Sequence, residues 1–456
     1  MSPRSSTVLR ESSLRSRRGT TAIRRTHLRF PPHRDTHRHT HDTQGEHTKN
    51  RSILISGAGI AGPTLAYWLH RYGFDVTVVE GAAAPRTGGH AVDIRGTARE
   101  VAARTGIVPA VRAAHTGARG MAFVDERGTR VASFDPAVFG DSGGPVAELA
   151  IKRTDLARIL YEATLNDVEY VFDDSVIAAQ QDHDGVHVQF AHGEPRHVDL
   201  LVGADGVHSA VRRLMFGPHE EYVRDLGLYL SMYSITTDVD LDGWQLMYTM
   251  PGGAGGPGRT AGLYPQRTPG TALAGFFLPS PPLDHDRRDV DEQKRTVLRA
   301  FAGQGWEIPR MLDSIWDAPD FYFDRVVQVE VDGWSRGRTV LLGDAGYCAS
   351  PMSGIGTSLA LVGAYVLAGE LAAADGDHTR AFRAYEDEMR EFTARAHAFA
   401  RASGDGGLMP RTRGQIRRRN LSVRLLPYLP QALVGRGMDR VARTVTLKDY
   451  PTPVHR

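Results

Sequence analysis

The stretch Ile53 to Glu80, ILISGAGIAGPTLAYWLHRYGFDVTVVE, decides how the rest of the chain is read. Ile53, Leu54 and Ile55 form the short apolar run of a strand buried on both faces, as in a parallel sheet. Gly57, Gly59 and Gly62 then spell G-x-G-x-x-G where such a strand turns into a helix, with Ala58, Ile60 and Ala61 between them. Gly57 permits the tight turn, Gly59 lets backbone approach a pyrophosphate, and Gly62 lets the helix pack closely on the strand. The helix that follows carries Leu65, Leu69 and Tyr72 on one face and ends at Gly73. Its N-terminus offers unpaired N–H groups and a positive dipole end to a diphosphate. Phe74 to Val79 is predicted as the second strand. Glu80 closes it, 23 residues after Gly57, where a carboxylate accepts hydrogen bonds from a ribose hydroxyl. A glycine turn alone is a weak sign. The strand before it, the helix after it and the acid in step together predict a dinucleotide site.

Two later stretches repeat the strand, glycine turn and helix. In LLVGADGVHSAVRR, residues 200–213, a buried strand reaches a small-residue turn at which Asp205 and Gly206 sit where ligand meets backbone. As a bare sequence, Asp205 reads equally as a helix N-cap. In RTVLLGDAGYCASPMSGIGTSLALVGAYVLAGEL, residues 338–371, a strand at Val340–Leu342 delivers Gly343 and Asp344. A loop holding Pro351, Gly354 and Gly356 then feeds a long apolar helix beginning near Thr357. The uncharged run Ala345–Gly369 reaches bilayer length, but Pro351 and the glycines fit a buried helix better, so no membrane span is expected.

Between these lie weaker signals. The loop Gly81–Arg99 contains GGHAVDIRG, with Arg86, Asp93 and Arg95 among small residues. Val101–Ala113 is predicted helical, and Met121–Val124 with Arg130–Phe134 forms a hairpin across ERGT. Residues 151–164 have helical spacing, with Thr154 or Asp155 as N-cap and Arg153 just before the helix. Read alone, the loop charges are as well explained by a surface loop as by a ligand, and Arg153 is better explained by an exposed helix start.

Residues 225–335 change character. Runs such as LGLYLSMYSITT, QLMYTM, AGLYP and ALAGFFLP predict an antiparallel sheet, the candidate substrate domain. Its aromatics, Tyr229, Tyr233, Tyr248, Tyr264, Phe276 and Phe277, are assigned to neither core nor ligand. Residues 379–403 read as an amphipathic charged helix.

At 456 residues the chain has room for two or three cores. Its only cysteine, Cys348, excludes an internal disulfide and a Cys-cluster zinc site and points to a reducing cytoplasm; no metal site is expected. The net charge is +2, yet residues 1–50 hold eleven Lys and Arg against four Asp and Glu, so the remaining chain stands at −5. An acidic folded part argues against nucleic acid as a partner. Residues 1–50, with six His from His27 to His47, lack the apolar pattern of a core and read as a disordered basic, His-rich extension.

Taken together, the three glycine-turn stretches resemble the FAD-dependent aromatic hydroxylase family, the para-hydroxybenzoate hydroxylase class, over nearly all of residues 51–375. GGHAVDIRG followed by KRTDLARIL is most similar to the tetracycline-inactivating monooxygenases and polyketide hydroxylases. The resemblance implies an α/β fold with a Rossmann-like FAD-binding domain at 51–224 and 336–375. It further implies an inserted antiparallel-sheet substrate domain at 225–335 and a C-terminal helical region at 376–456. It makes Gly57–Gly62 and Glu80 the ADP site, Asp205 and Gly206 a contact to FAD and the nicotinamide nucleotide, and Asp344 a contact near the flavin ribose. The Pro351–Gly356 loop would lie along the isoalloxazine, Asp93 and Arg153 would touch FAD, and Arg86 would touch NADPH. The chain departs from the family's commoner pattern in having Gly81 where an arginine follows the acid, Tyr347 for His and Ile355 for Gln. The implied reaction is NAD(P)H-driven hydroxylation of an aromatic or polyketide-like molecule by dioxygen through a flavin hydroperoxide. The cofactor carries the chemistry, so no catalytic side chain is named. Two alternatives share these motifs: a flavin-dependent reductase and a non-catalytic flavoprotein that binds an aromatic ligand. A halogenase is disfavoured, because GWEIP at 305–309 is half of its motif and no lysine lies between Lys49 and Lys152. Oligomeric state is left open.

Overall fold

The structure, a computed structural model, describes residues 50–450 except 86–90, 136–137, 139–148, 253–255, 284–288, 405–408 and 431–435. The basic extension and Arg86 lie outside the described residues.

A six-stranded sheet carries the three glycine turns. Its strands run Ser335–Arg336, Thr339–Leu341, Leu200–Gly203, Ser52–Ser56, Asp75–Glu80 and Glu169–Phe172 in spatial order. All neighbours pair in parallel except the two-residue edge strand Ser335–Arg336. The central strands are buried on both faces, which is why they read as unbroken Ile, Leu and Val runs rather than alternating ones. The glycine-turn helix Ala61–Arg71 packs on this sheet together with the helix Gly356–Ala373. The latter is the one described helix long and apolar enough to cross a membrane, and 83% of it is buried inside the protein. It is hydrophobic all round because it is surrounded by protein.

A seven-stranded sheet forms the second layer. Its order is Tyr322–Val329, Val223–Thr236, Thr271–Pro279, Arg259–Pro265, Trp244–Met250, Gly120–Val124, Arg130–Phe134. The hairpin Gly120–Phe134, although early in the chain, joins this sheet through parallel pairing of Gly120–Val124 with Trp244–Met250. One face is covered by the helices Val290–Phe301 and Ile308–Asp313. The helix predicted over Val101–Ala113 is two helices, Thr97–Thr105 and Val108–Ala113. Gly106, at φ +80°, caps the first in the left-handed region, and Pro109 opens the second. C-terminal helices at His378–Gly404, Arg413–Leu425 and Arg436–Ala442 complete the body.

Candidate active site

Three turns meet at one edge of the six-stranded sheet. Ser56, Gly203 and Leu341 are register partners at the C-terminal ends of adjacent parallel strands, and each is followed within two residues by one of the glycine turns. Ligands of open α/β sheets bind outside this edge. The turns are in contact. Gly57 has φ +110°, and a Cβ there would come within 2.8 Å of the Asp205 Cα. A Cβ on Gly62 would overlap the Gly57 carbonyl oxygen, so both glycines are dictated by close backbone packing. Gly59 differs: its Cβ position meets only the Arg153 guanidinium, at 3.9 Å. That open face, beside a cation, is a cradle for an anionic group.

The predicted acid Glu80 reaches back to the same turn. One carboxylate oxygen accepts from Ala58 N at 2.9 Å and the other from Ala82 N at 3.1 Å. Arg153 is the first residue of the helix Arg153–Glu162 rather than its predecessor, and the N-cap is Lys152. Neither Thr154 nor Asp155 caps, because both already lie in the first helical turn.

In the second turn, Asp205 accepts from Ala210 N at 2.7 Å and Val211 N at 3.2 Å through one oxygen. Its other oxygen is buried without a hydrogen-bond partner among the described residues. Burial pushes this carboxyl above its ordinary range, against the pull of the backbone N–H groups. The helix itself is capped by Ser209, whose hydroxyl accepts from Arg212 N, so the N-cap reading of Asp205 gives way to a shared role. Gly206, at φ +79°, has open space where a Cβ would stand.

Sequence reasoning missed Arg212. Its side chain is fully buried and donates to Val207 O at 2.5 Å and Ala345 O at 2.6 Å. It thereby ties the second turn to the short helix Asp344–Tyr347 of the third. The nitrogen that donates to Val207 O also lies 3.0 Å from His219 Nδ1. In the sequence Arg212 is half of an Arg-Arg pair, indistinguishable from its exposed neighbour Arg213.

In the third turn, the Asp344 carboxylate lies 3.9 Å from the Cβ position of Gly356, the first residue of the buried helix. Pro351–Ser353 forms a single 3₁₀ turn with Ser350 at φ +80° before it and Gly354 at φ +60° after it. Tyr347 faces away into packing: its ring is 4.6 Å from that of Trp334, and Tyr385 donates to its hydroxyl at 2.8 Å. Ile355 is fully buried. Of the three departures from the family pattern, Tyr347 and Ile355 are thus core residues, and Gly81 is exposed. Cys348 is buried as well, and burial pushes its thiol well above the usual value, which fits packing rather than redox chemistry.

Asp93 pairs with buried Arg95 at 2.6 Å, and Arg95 N donates to Ser358 Oγ at 3.1 Å in the first turn of the buried helix. The Asp93 loop is thereby pinned beside the third turn.

The same edge faces the side of the seven-stranded sheet opposite the helices Val290–Phe301 and Ile308–Asp313. Met352 of the Pro351–Gly356 loop packs against the cluster formed by Leu228, Leu230, Met232, Leu273, Val326 and Met409. The aromatics left unassigned by sequence now divide. Tyr229, Tyr233, Tyr248 and Phe276 pack under the helices, whereas Tyr264 and Phe277 lie on the face towards Met352.

Compared with known proteins, residues 50–400 match the model of the family described as FAD binding domain. The chain belongs to the FAD binding domain family. It is 39% identical over 345 residues to a flavin-dependent monooxygenase of Legionella longbeachae, covering 76% of this chain and 86% of the relative. It is 34% identical to the FAD-dependent monooxygenase asL4 of Sarocladium schorii, covering 88% and 98%. Among solved structures, tetracycline destructase Tet(55) superimposes with a TM-score of 0.75 at 35% identity, covering 89% of this chain and all of that one. The HpxO enzyme of Klebsiella pneumoniae, complexed with FAD and uric acid, shares the fold, with a TM-score of 0.64 at 24% identity.

This chain is therefore an FAD-dependent monooxygenase. The residues present fit the flavin nucleotide: an open glycine cradle beside Arg153, an unpartnered Asp205 oxygen, and helix N-termini at Ala61 and Gly356. On a separate three-stranded sheet, Asp182, His187 and His197 bring ligand atoms within 4.8 Å of one another, a grouping the sequence reading did not foresee.

Proposed function

We propose that this monooxygenase hydroxylates a planar aromatic or polyketide-like small molecule, using NADPH or NADH as reductant and dioxygen as oxygen source. The observation that carries the reading is the meeting of three glycine turns beside a sheet face lined by Met232, Tyr264, Phe277 and Met352. Bound FAD supplies the redox chemistry. The chain's own residues hold and orient it. Gly57 to Gly62 receive the diphosphate through backbone N–H groups, with Arg153 adding charge. Glu80 serves the ribose, exchanging its bond to Ala58 N for a hydroxyl. Asp205 offers its spare oxygen, and Asp93, Gly206, Asp344, Pro351, Gly354 and Gly356 shape the site around the ring. The N-terminus of the Gly356–Ala373 helix would turn its positive dipole end towards the bound ring and would favour negative charge there. Arg86 is assigned to the nicotinamide nucleotide.

In this reading residues 51–224 with 336–375 serve the cofactor and 225–335 the substrate, with the hairpin Gly120–Phe134 added to the substrate sheet. A single buried thiol fits a reducing cytoplasm. The likeness to a tetracycline destructase supports fused-ring substrates.

The purified protein is expected to show flavin absorbance. NADPH oxidation should rise with one or more members of a panel of phenols, naphthoquinones, anthraquinones and tetracyclines. The product should be heavier by one oxygen atom. Flavin reduction without oxygen transfer to any member would instead make the protein a reductase or a binding protein.

A further inference from the structure

The helix Arg413–Leu425 starts at a capping box, in which Thr412 Oγ1 accepts from Gln415 N and the Gln415 side chain accepts from Thr412 N. This fixes which face turns inward. Val423 packs against Met121, Phe123 and Met247 of the seven-stranded sheet, and Arg419, one turn earlier, lies on the same face. The Arg419 guanidinium stacks on the Phe123 ring at 3.8 Å. It donates to Thr249 Oγ1 at 3.0 Å, and its Nε and Nη2 both donate to Asn420 Oδ1. These partners are all neutral. Among the described residues no carboxylate pairs with it, and two of its five N–H groups have no protein acceptor. Burial pushes its pKa down to about 10. Arg419 is half-buried, and a partly desolvated cation with only neutral partners keeps charge for an anion to meet.

The sheet beneath supplies a path from this cation to the cofactor loop. Phe123, Met247, Gly262, Gly275 and Met232 are register partners on five neighbouring strands. The row spans four strand spacings, roughly 19 Å. Two adjacent members are glycines, so the floor there is bare backbone, and the side-chain atoms nearest to it are those of the Tyr264 ring and the ends of Met232 and Met247. Methionine ends are soft and displaceable. Met352 of the cofactor loop packs at the Met232 end, and Arg419 stands at the Phe123 end.

We propose that Arg419 is the subsite for an anionic oxygen of the substrate, a phenolate or enolate at one end of a planar fused-ring molecule lying along this glycine-floored row. The proposal rests on the monooxygenase reading above and narrows its substrate class to acidic polycyclic phenols and enols. The planar guanidinium orients such an oxygen, and the row directs the opposite end of the molecule towards the cofactor loop.

The test is calorimetric binding to the flavin-loaded enzyme of a dihydroxyanthraquinone and of its dimethyl ether, above and below the phenol pKa. Wild-type protein should bind the phenolate more tightly than the ether. Arg419→Gln should weaken phenolate binding by roughly ten- to a hundredfold, leave the ether unchanged and leave flavin absorbance intact. Arg419→Lys should restore part of the loss, and Thr249→Val, which frees the guanidinium, should weaken the same probe to a smaller degree. Equal weakening of both probes, or no weakening, overturns the subsite. If wild-type enzyme transfers oxygen to no panel member yet keeps this charge-selective binding, the subsite stands and the hydroxylase reading falls. Unchanged KM for phenolic substrates in Arg419→Gln, with turnover intact, does the reverse.

Discussion

At Gly59 the turn leaves room and at Gly57 it leaves none, and that difference separates a binding glycine from a structural one. A Cβ at position 57 collides with the Asp205 backbone, whereas at position 59 it meets only a flexible guanidinium at 3.9 Å. Gly59→Asp should therefore fold with near-normal thermal stability and lose FAD, because its carboxylate occupies the diphosphate cradle. Stoichiometric flavin retained by that variant would remove the turn from the cofactor site. Arg212 is the opposite case, a charge used as a strut. Arg212→Met strips the donors from the Val207 and Ala345 carbonyls and should cost about 2–4 kcal/mol in denaturant unfolding. Its neighbour His219 gives a pH signature. Burial first, then the Arg212 and His208 charges, lower its pKa from 6.5 to about 4. The fold thus favours neutral His219. That contribution is complete above pH 6.5 and is lost as pH falls from there to about 4. His219→Gln should flatten this part of the melting-temperature profile; an unchanged acid limb would refute the assignment.

At the scale of elements, the helix Gly356–Ala373 carries the third turn and the core at once. Its side chains are buried round the whole circumference, and its glycines mark where other elements approach. A Cβ on Gly363 would overlap the Tyr347 hydroxyl, which bonds Tyr385. Gly363→Leu should push Tyr347 and the Asp344–Tyr347 helix outward. Unfolding stability should drop by about 1–3 kcal/mol, together with weaker flavin retention. Lost stability with flavin affinity unchanged would show that this helix does not set the third turn. Such elements were legible because their signals are local. A buried parallel strand followed by a glycine turn and a helix can be read within thirty residues. Caps and breaks were less so: Thr154 and Asp155 were plausible caps that a helix start at Arg153 overran, and Gly106 with Pro109 divided a stretch whose apolar spacing ran on.

At the scale of the molecule, what sequence could not show was which surfaces face each other. Strand alternation puts Phe276 and Phe277 on opposite faces of the sheet. Only the covering helices decide that the first is core and the second faces the Pro351–Gly356 loop. The hairpin Gly120–Phe134 joins the seven-stranded sheet through a parallel pairing more than a hundred residues distant in sequence, which no local pattern encodes. Arg212 and Arg419 look like ordinary basic residues until their carbonyl and aromatic partners are known. The acidic fused-ring substrate inferred from Arg419 thus depends on the whole assembly, not on any motif.

The central claim is that this chain inserts one atom of dioxygen into an organic substrate. The direct measurement is turnover under isotopically heavy dioxygen, with mass analysis of the product formed from the panel member that most stimulates NADPH oxidation. One heavy oxygen atom in the product, and none when only the water is labelled, is the expected result. A product carrying oxygen from water, or a substrate recovered unoxygenated while NADPH is consumed, would contradict it.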